Sequence, residues 1–219
     1  MFIVIEGSDG AGKATQAALL KKRLEQEGKS TFSLSFPMYD EPSSALVRHY
    51  LNGDFGSDPM KINPHTAALF YAADRAASVE KWRPTVLNPN VYSIADRYVG
   101  SNAVHQGAKM ETYCDKIDFF RFVSDLEFNK LELPKPDITI YLNTSVGNTI
   151  ARMRERKALK NGEEHDIHES NLPIQKLFHN TGLMAAKFYG WTIIECGDRS
   201  KEDIAEEIYQ LVANVASKI

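Results

Sequence analysis

Near the start of the chain, Gly7, Gly12 and Lys13 stand at the spacing G-x-x-x-x-G-K, and Asp96-Arg97-Tyr98 closes an apolar run much further on. The first group can hold a polyphosphate. Gly7, Gly10 and Gly12 let the backbone take positive φ and approach a ligand, so that successive N–H groups point into one concavity. The free donors at the start of a following helix add positive potential, and Lys13 supplies a mobile ammonium for β and γ phosphates. In the second group Asp96 can hold a Mg²⁺ ion or its waters, while Arg97 can fork onto phosphate oxygens. One position departs from the pattern: Ala14 stands where Ser or Thr places a hydroxyl on the metal. Thr15 comes one residue late, about 100° around a helix, and does not simply replace it.

The elements that position these residues can be read from periodicity. Phe2-Ile3-Val4-Ile5 is an apolar, β-branched run of the buried parallel-strand type. Thr15 to Glu27 reads as a helix with Ala17, Leu20 and Leu24 on one face, closed by Gly28. Further strands are predicted at Ser30 to Phe36, Val91 to Ala95, Asp137 to Leu142 and Thr192 to Glu195. Helices are predicted over Pro42 to Asn52, Pro64 to about Trp82, about Met110 to Lys130, Val146 to Lys157, Leu172 to Tyr189, and a last one opened by Ser200 and Asp203. Alternating strands and helices imply a five-stranded parallel sheet flanked by helices, an α/β/α sandwich that binds ligands outside the carboxyl ends of its strands. The phosphate loop, Phe36-Pro37-Met38-Tyr39 and Asp96-Arg97-Tyr98 all fall at such ends.

Composition narrows the function. The chain has 219 residues, a net charge of -3 and two cysteines, Cys114 and Cys196. One domain spanning 1–219 is expected, since no Pro/Gly/Ser-rich linker divides the chain. A broad nucleic-acid binder would carry a basic surface, and a disulfide framework would need more cysteines. The reading is therefore a cytoplasmic protein with no nucleic-acid partner and no membrane span. His165-Asp166-Ile167-His168-Glu169 has metal-ligand residue types in a polar segment that reads more simply as a solvated loop. Asn129-Lys130-Leu131-Glu132 is a near miss to a guanine-reading motif, inside or at the end of a helix.

Ile5-Glu6-Gly7-Ser8-Asp9-Gly10-Ala11-Gly12-Lys13, Phe36-Pro37, Asp74-Arg75-Ala76, Asp96-Arg97-Tyr98 with Ser101-Asn102, and Leu133-Pro134-Lys135-Pro136-Asp137 together resemble the thymidylate kinase family of nucleoside monophosphate kinases, from Met1 to about Glu169. The resemblance implies a P-loop NTPase fold with a mobile lid over about 152–169, ATP and Mg²⁺ as cofactors, dTMP as acceptor, and a homodimer. It assigns ATP to the loop Gly7, Ser8, Asp9, Gly10, Ala11, Gly12, Lys13, Ala14 and Thr15 with Arg152. Asp9 is expected to accept a hydrogen bond from the acceptor's 3′-hydroxyl. Tyr71 is expected to stack on the base four residues before Arg75, which reads a thymine carbonyl; residues i and i+4 share a helix face. Phe70 takes the stacking role if the helix is rotated. Phe36, Tyr39, Ser101, Asn102 and His105 complete the acceptor side, with Gln106 a lesser candidate. The catalytic set implied is Lys13, Asp96, Arg97 and the lid residues Arg154 and Arg156. Arg152 and Gly197-Asp198-Arg199 are candidates for the adenine pocket.

Departures from the family pattern are visible as well. Tyr39 replaces an arginine that members often use on the acceptor phosphate, which leaves more of that charge to Arg97, with Arg48 a possible helper. Gly10 stands where some members carry a catalytic arginine, and the chain resembles the bacterial-type arrangement in which the lid supplies it; Asp166 and Glu169 fit the lid acids. Two alternatives stay open: a kinase of the same fold for another nucleotide or deoxynucleoside, and a catalytically silent nucleotide-binding protein, suggested by Ala14.

Overall fold

In the computed structural model the described residues are 1–159 and 172–218, the side chains of 155–159 excepted. Strand β1 (Phe2–Gly7) is buried along its whole length because helices cover both faces of the sheet. Successive side chains alternate, so Phe2 and Val4 enter one core and Ile3 and Ile5 the other. In chain order there follow α1 (Lys13–Gln26), β2 (Ser30–Ser35), α2 (Ala45–Leu51), α3 (Pro64–Val86), β3 (Val91–Asp96), α4 (Val99–Gly107) and α5 (Tyr113–Ser124). Beyond them lie β4 (Ile138–Asn143), α6 (Val146–Leu159), α7 (Leu172–Tyr189), β5 (Thr192–Glu195) and α8 (Lys201–Ala216).

The five strands form one parallel sheet in the order β2-β3-β1-β4-β5. Ile5 pairs with Asp96 in register, which sets the carboxyl ends of β1 and β3 side by side. On one face Leu20 and Leu24 of α1 meet Ile204, Ile208 and Val212 of α8 over Ile3, Ile5 and Ile140. On the other, Val79 and Trp82 of α3, Ala103 of α4, Phe119 and Phe120 of α5 and Ala185 of α7 close over Phe2, Val4 and Ala95.

Local signals account for several boundaries. Asn63 caps α3 by accepting from the N–H groups of His65 and Thr66, with Pro64 in the first turn. Ser200 caps α8 through the Asp203 N–H. The helix expected from Met110 to Lys130 begins instead at Tyr113, where Thr112 and Asp115 form a reciprocal capping box, and its last part, Asp125–Lys130, is a π-helical turn. Helix α3 runs past Trp82 to Val86. Helix α4 has no counterpart in the expected elements, and its cap comes from elsewhere in the fold. Glu6 of β1 accepts from the backbone N–H groups of Tyr98 and Ser101, each at 2.9 Å, and from the Ser101 hydroxyl at 2.6 Å.

One contact shows how tightly α7 lies on the sheet. A Cβ added at Gly182 would stand 2.1 Å from the hydroxyl oxygen of Tyr141 in β4, whose side chain is fully buried. Alanine favours a helix over glycine by about 1 kcal/mol, but overpacking a filled core costs roughly 1–3 kcal/mol. Gly182→Ala is therefore expected to lower the midpoint of thermal unfolding; a midpoint at or above that of the parent would mean that α7 lifts from β4 without cost.

Candidate active site

The phosphate loop leaves β1 at Gly7 and turns into α1 at Lys13. Gly12, at φ 98°, is the N-cap of α1 and lies in the left-handed region open to glycine. No side chain caps this helix and its first turn holds no acid, so its N–H donors are left for a ligand. Gly10, at φ 78°, passes so close to α6 that an added Cβ would lie 2.5 Å from the Thr149 carbonyl oxygen. The Lys13 ammonium is buried and donates back to the carbonyls of Gly7 and Ser8, at 3.0 and 2.9 Å. Burial, reinforced by Arg97, lowers its pKa to about 8. Ser8 is buried beside it, and Ala14 and Thr15 are exposed on the first turn.

Across the loop stands Arg97, held at φ 66°, an unusual conformation for a residue with a side chain. Its Nη2 donates to Asp9 Oδ1, and its Nη1 donates to Ser101 Oγ and His105 Nε2, each at 3.3 Å. Burial by itself would raise the Asp9 carboxyl, but Arg97 and Lys13 outweigh it and hold the group well below the usual carboxylate range. Asp96 sits next to Arg97, and its Oδ1 is buried with no partner among the described atoms. Asp96 lines the same cavity as Lys13, Ala14 and Thr15, so its carboxylate, with an oxygen left unpartnered, fits a hydrated divalent cation carried in on a polyphosphate. Among the described residues no three acid, His or Cys side chains cluster as a metal cage, so most of such an ion's ligands would come from phosphate and water.

Three cavities run together here. The first is lined by Gly12, Thr15, Gln16, Arg152, Arg199, Lys201 and Ile204, and the second by Asp9, Gly10, Gly12, Lys13, Asp96, Arg97 and Arg152. The third contains Asp9 and Arg97 again, with Phe36, Tyr39, Tyr71, Arg75, Ser101, Asn102, His105 and Gln106. Asp9 and Arg97 are thus the wall between the second and third cavities.

Most of the residues expected at the site come together in these cavities, but Phe70 does not line the third. It packs with Tyr50 and Phe55, and Tyr71 faces the cavity instead. Arg48 is spent on its own neighbourhood, its Nη1 donating to the carbonyls of Tyr39 and Glu41 and to the Ser44 hydroxyl. Arg152 reaches the Ala11 carbonyl at 3.4 Å, and Arg199 lines the first cavity while Gly197 and Asp198 do not. Arg154 is exposed on α6 and lines none of the three cavities. The Arg156 side chain, Lys160, the segment from His165 to Glu169 and most of the expected lid lie outside the described residues.

Three residues matter more than the sequence suggested. Asp74 is buried and accepts from the Met38 N–H at 3.0 Å and the Ser43 hydroxyl at 2.8 Å, tying the loop that carries Tyr39 to α3. Gln106 is fully buried in the cavity wall with both amide atoms unpartnered. Glu127, from the π-helical turn, is fully buried against Arg75. A charge at position 127, on the stripe of Phe120 and Val123, is the signal that could have marked the last of these, because a buried carboxylate needs a buried cation.

Fold and site together define a P-loop nucleotide-binding protein in which two cavities meet at one ion pair. The family model for thymidylate kinase matches residues 5–208. The thymidylate kinase of Mycobacterium tuberculosis is 32% identical over 195 residues, covering 87% of each chain. A probable thymidylate kinase of Thermococcus kodakarensis is 33% identical over 194 residues, 85% of this chain and 89% of that one. The chain belongs to the thymidylate kinase family, whose members are ATP-dependent nucleoside monophosphate kinases. A solved thymidylate kinase structure from Candida albicans, 22% identical, shares the fold with a TM-score of 0.69 over 97% of this chain and 90% of that one.

The lowered pKa of Lys13 has a direct consequence for phosphate binding. Below about 8 the ammonium is charged and contributes fully; above that value the free protein loses the charge. The affinity for ADP, followed by calorimetry from pH 6.5 to 9.5, is expected to weaken above pH 8 in step with the loss of one proton. Lys13→Arg, which stays charged, is expected to flatten that dependence.

Proposed function

We propose that this chain transfers the γ-phosphoryl group of ATP to dTMP, giving dTDP and ADP. The observation that carries the reading is the shared Asp9–Arg97 wall, which lets a donor phosphate chain and an acceptor phosphate meet across one cation. The acceptor's phosphate monoester has its second pKa near 6, so its attacking oxygen is already ionised at neutral pH and needs no general base. The work left to the protein is to bring two polyanions together and spread charge over the transferring group.

In this reading Lys13 and the α1 N-terminus hold the β and γ phosphates, and Arg97 bridges from the donor side to the acceptor phosphate. Asp9 orients Arg97 and accepts from the acceptor's 3′-hydroxyl. Tyr71 lies on the face of the base, while Arg75, Asn102 and Gln106 meet its polar edge. Phe36, Ser101, His105 and Tyr39 enclose the sugar and phosphate. Arg152 and Arg199 flank the adenine end. Mg²⁺, held by Asp96 through water and by the phosphates, would neutralise charge on the β and γ oxygens. With Gly10 in a position that some members fill with arginine, the further cation is assigned to Arg154 and Arg156 in a lid over about 152–169, the bacterial-type arrangement. The whole chain is taken as one kinase domain, working as a homodimer in the cytoplasm; exposed Leu46 on α2 and Leu69 on α3 offer apolar surface for pairing. Among the described residues no helix is long and apolar enough to cross a membrane.

A coupled ADP-release assay with ATP and Mg²⁺, scanning dTMP, dUMP, dCMP, dGMP, UMP and thymidine, is expected to give the highest turnover with dTMP. No turnover with any acceptor, while ATP still binds, would replace the kinase reading by one of nucleotide binding alone. Lys13→Ala and Arg97→Ala are each expected to lower turnover on the order of 10² to 10³, the usual cost of removing one charge-stabilising donor. Near-normal activity in either variant would remove that residue from the mechanism.

A further inference from the structure

The acceptor cavity is lined by Arg75 and Asn102, but neither side chain is free to choose its orientation. Both are held from behind by Glu127, which does not line the cavity. The Glu127 carboxylate accepts three hydrogen bonds: from Arg75 Nε at 2.5 Å, from Arg75 Nη2 at 2.7 Å and from Asn102 Nδ2 at 2.9 Å. The second proton of Asn102 Nδ2 goes to the Ala68 carbonyl at 3.0 Å. A carboxylate and a carbonyl only accept, so the nitrogen end of the Asn102 amide must face them. Its Oδ1 therefore points the other way, buried and with no partner among the described atoms. Arg75 spends Nε and Nη2 on Glu127, and its Nη1 makes no hydrogen bond among the described residues.

We infer that Glu127 is a specificity-positioning residue that fixes the donor–acceptor polarity of the base-reading wall, and so selects an imide base edge. The inference rests on the acceptor reading proposed above. A wall made of a guanidinium donor beside a carbonyl acceptor matches a base that offers a carbonyl next to a ring N–H, the imide edge of thymine or uracil. Cytosine offers the inverse pair. Its exocyclic amine would face the guanidinium and its bare ring nitrogen would face the Asn102 carbonyl, leaving two buried mismatches. Glu127 imposes this without touching the base, and Gln106, buried in the same wall, leaves both amide atoms unpartnered for the base that the wall admits. A purely structural ion pair is the competing explanation. It accounts less well for the third hydrogen bond, which reaches past Arg75 to orient Asn102, and a buried ion pair is in any case no general source of stability.

The test is the ratio of kcat/KM for dTMP to kcat/KM for dCMP in the full-length protein, with the KM for ATP measured alongside. Glu127→Gln keeps the shape but has one acceptor oxygen for three donors and turns an N–H₂ toward them. It is expected to lower the ratio by about tenfold or more and to leave the KM for ATP within roughly twofold. Glu127→Asp keeps the buried charge, so it also serves if the glutamine variant does not fold. Its shorter carboxylate no longer spans Arg75 and Asn102 together, and it is expected to lower the same ratio by a smaller factor. Equal losses on dTMP and dCMP in a folded variant, or an unchanged ratio, would overturn the inference and leave Glu127 a structural partner of Arg75. If the parent chain itself shows no preference for dTMP over dCMP, the fault lies in the acceptor reading, and the inference falls with it.

Discussion

Arg97 and Asp9 follow the ends of different strands, and their ion pair exists because β1 and β3 are neighbours in a parallel sheet. In a doubly wound sheet the carboxyl ends of adjacent strands open into the crevice where ligands bind. Here β1 ends in the phosphate loop that carries Asp9, and β3 ends in Asp96-Arg97. The pair also needs Arg97 in a left-handed backbone conformation, which costs of the order of 1–3 kcal/mol. That conformation is held from both sides. The Arg97 N–H donates to the Ile5 carbonyl at 3.1 Å, and the next residue, Tyr98, donates its N–H to Glu6. Strain at this point buys a guanidinium that stands between two cavities rather than against the sheet.

The same economy recurs in three buried carboxylates, each joining elements distant in sequence. Glu6 of β1 caps α4 and so sets Ser101 and Asn102; burial raises its pKa, against the opposing pull of the Ser101 hydroxyl, Arg97 and the Tyr98 N–H. Asp74 of α3 holds the loop after β2 through Met38 and Ser43. Glu127 joins α3 to α4 behind the cavity wall that Arg75 and Asn102 form. Buried charges are poor sources of stability, since well-packed apolar residues in their place are often neutral or stabilising by about 1–4 kcal/mol. Three such groups around one cavity are more economically explained by the positions they impose on ligand-facing side chains than by the stability of the fold.

Legibility in the sequence followed the range of the interactions. The phosphate loop, the five strands and the Ser200 cap are encoded within a few residues, and the structure has them where periodicity and capping place them. Helix α4 was hidden because it contains Gly100 and Gly107 and takes its cap from Glu6, over ninety positions away by the Tyr98 contact. The choice between Phe70 and Tyr71 depends on how α3 is rotated: Tyr50 packs against both rings, and Phe55 holds Phe70 away from the cavity that Tyr71 lines. Arg48 looked available for a phosphate because its sequence neighbours give no sign of the carbonyls that occupy it. For α4 and α3 the missing information was a partner far along the chain, and for Arg48 it was the path of a loop only four to nine residues away.

Charge balance explains why the site still needs more than these residues. Lys13 and Arg97 face Asp9, Asp96 and Glu6; burial and the neighbouring Arg97 shift Lys13 down although the three acids oppose it, and Arg97 with Lys13 holds Asp9 far down. The protein's own cations at the centre are therefore already engaged by its own anions. Two phosphate-bearing ligands would add negative charge to a place that has little positive charge to spare. In the proposed reaction a productive complex would import cations, from a divalent metal ion arriving with the donor and from Arg152 of α6, which lines the second cavity. With Tyr39 rather than a cation lining the acceptor side, the proposed reaction would share Arg97 between Asp9 and the incoming phosphate. In that proposed reaction, cations that reach the second cavity only when both ligands are present would supply charge at the moment of transfer, and would leave the resting protein free of an uncompensated cationic pocket that any phosphate could fill.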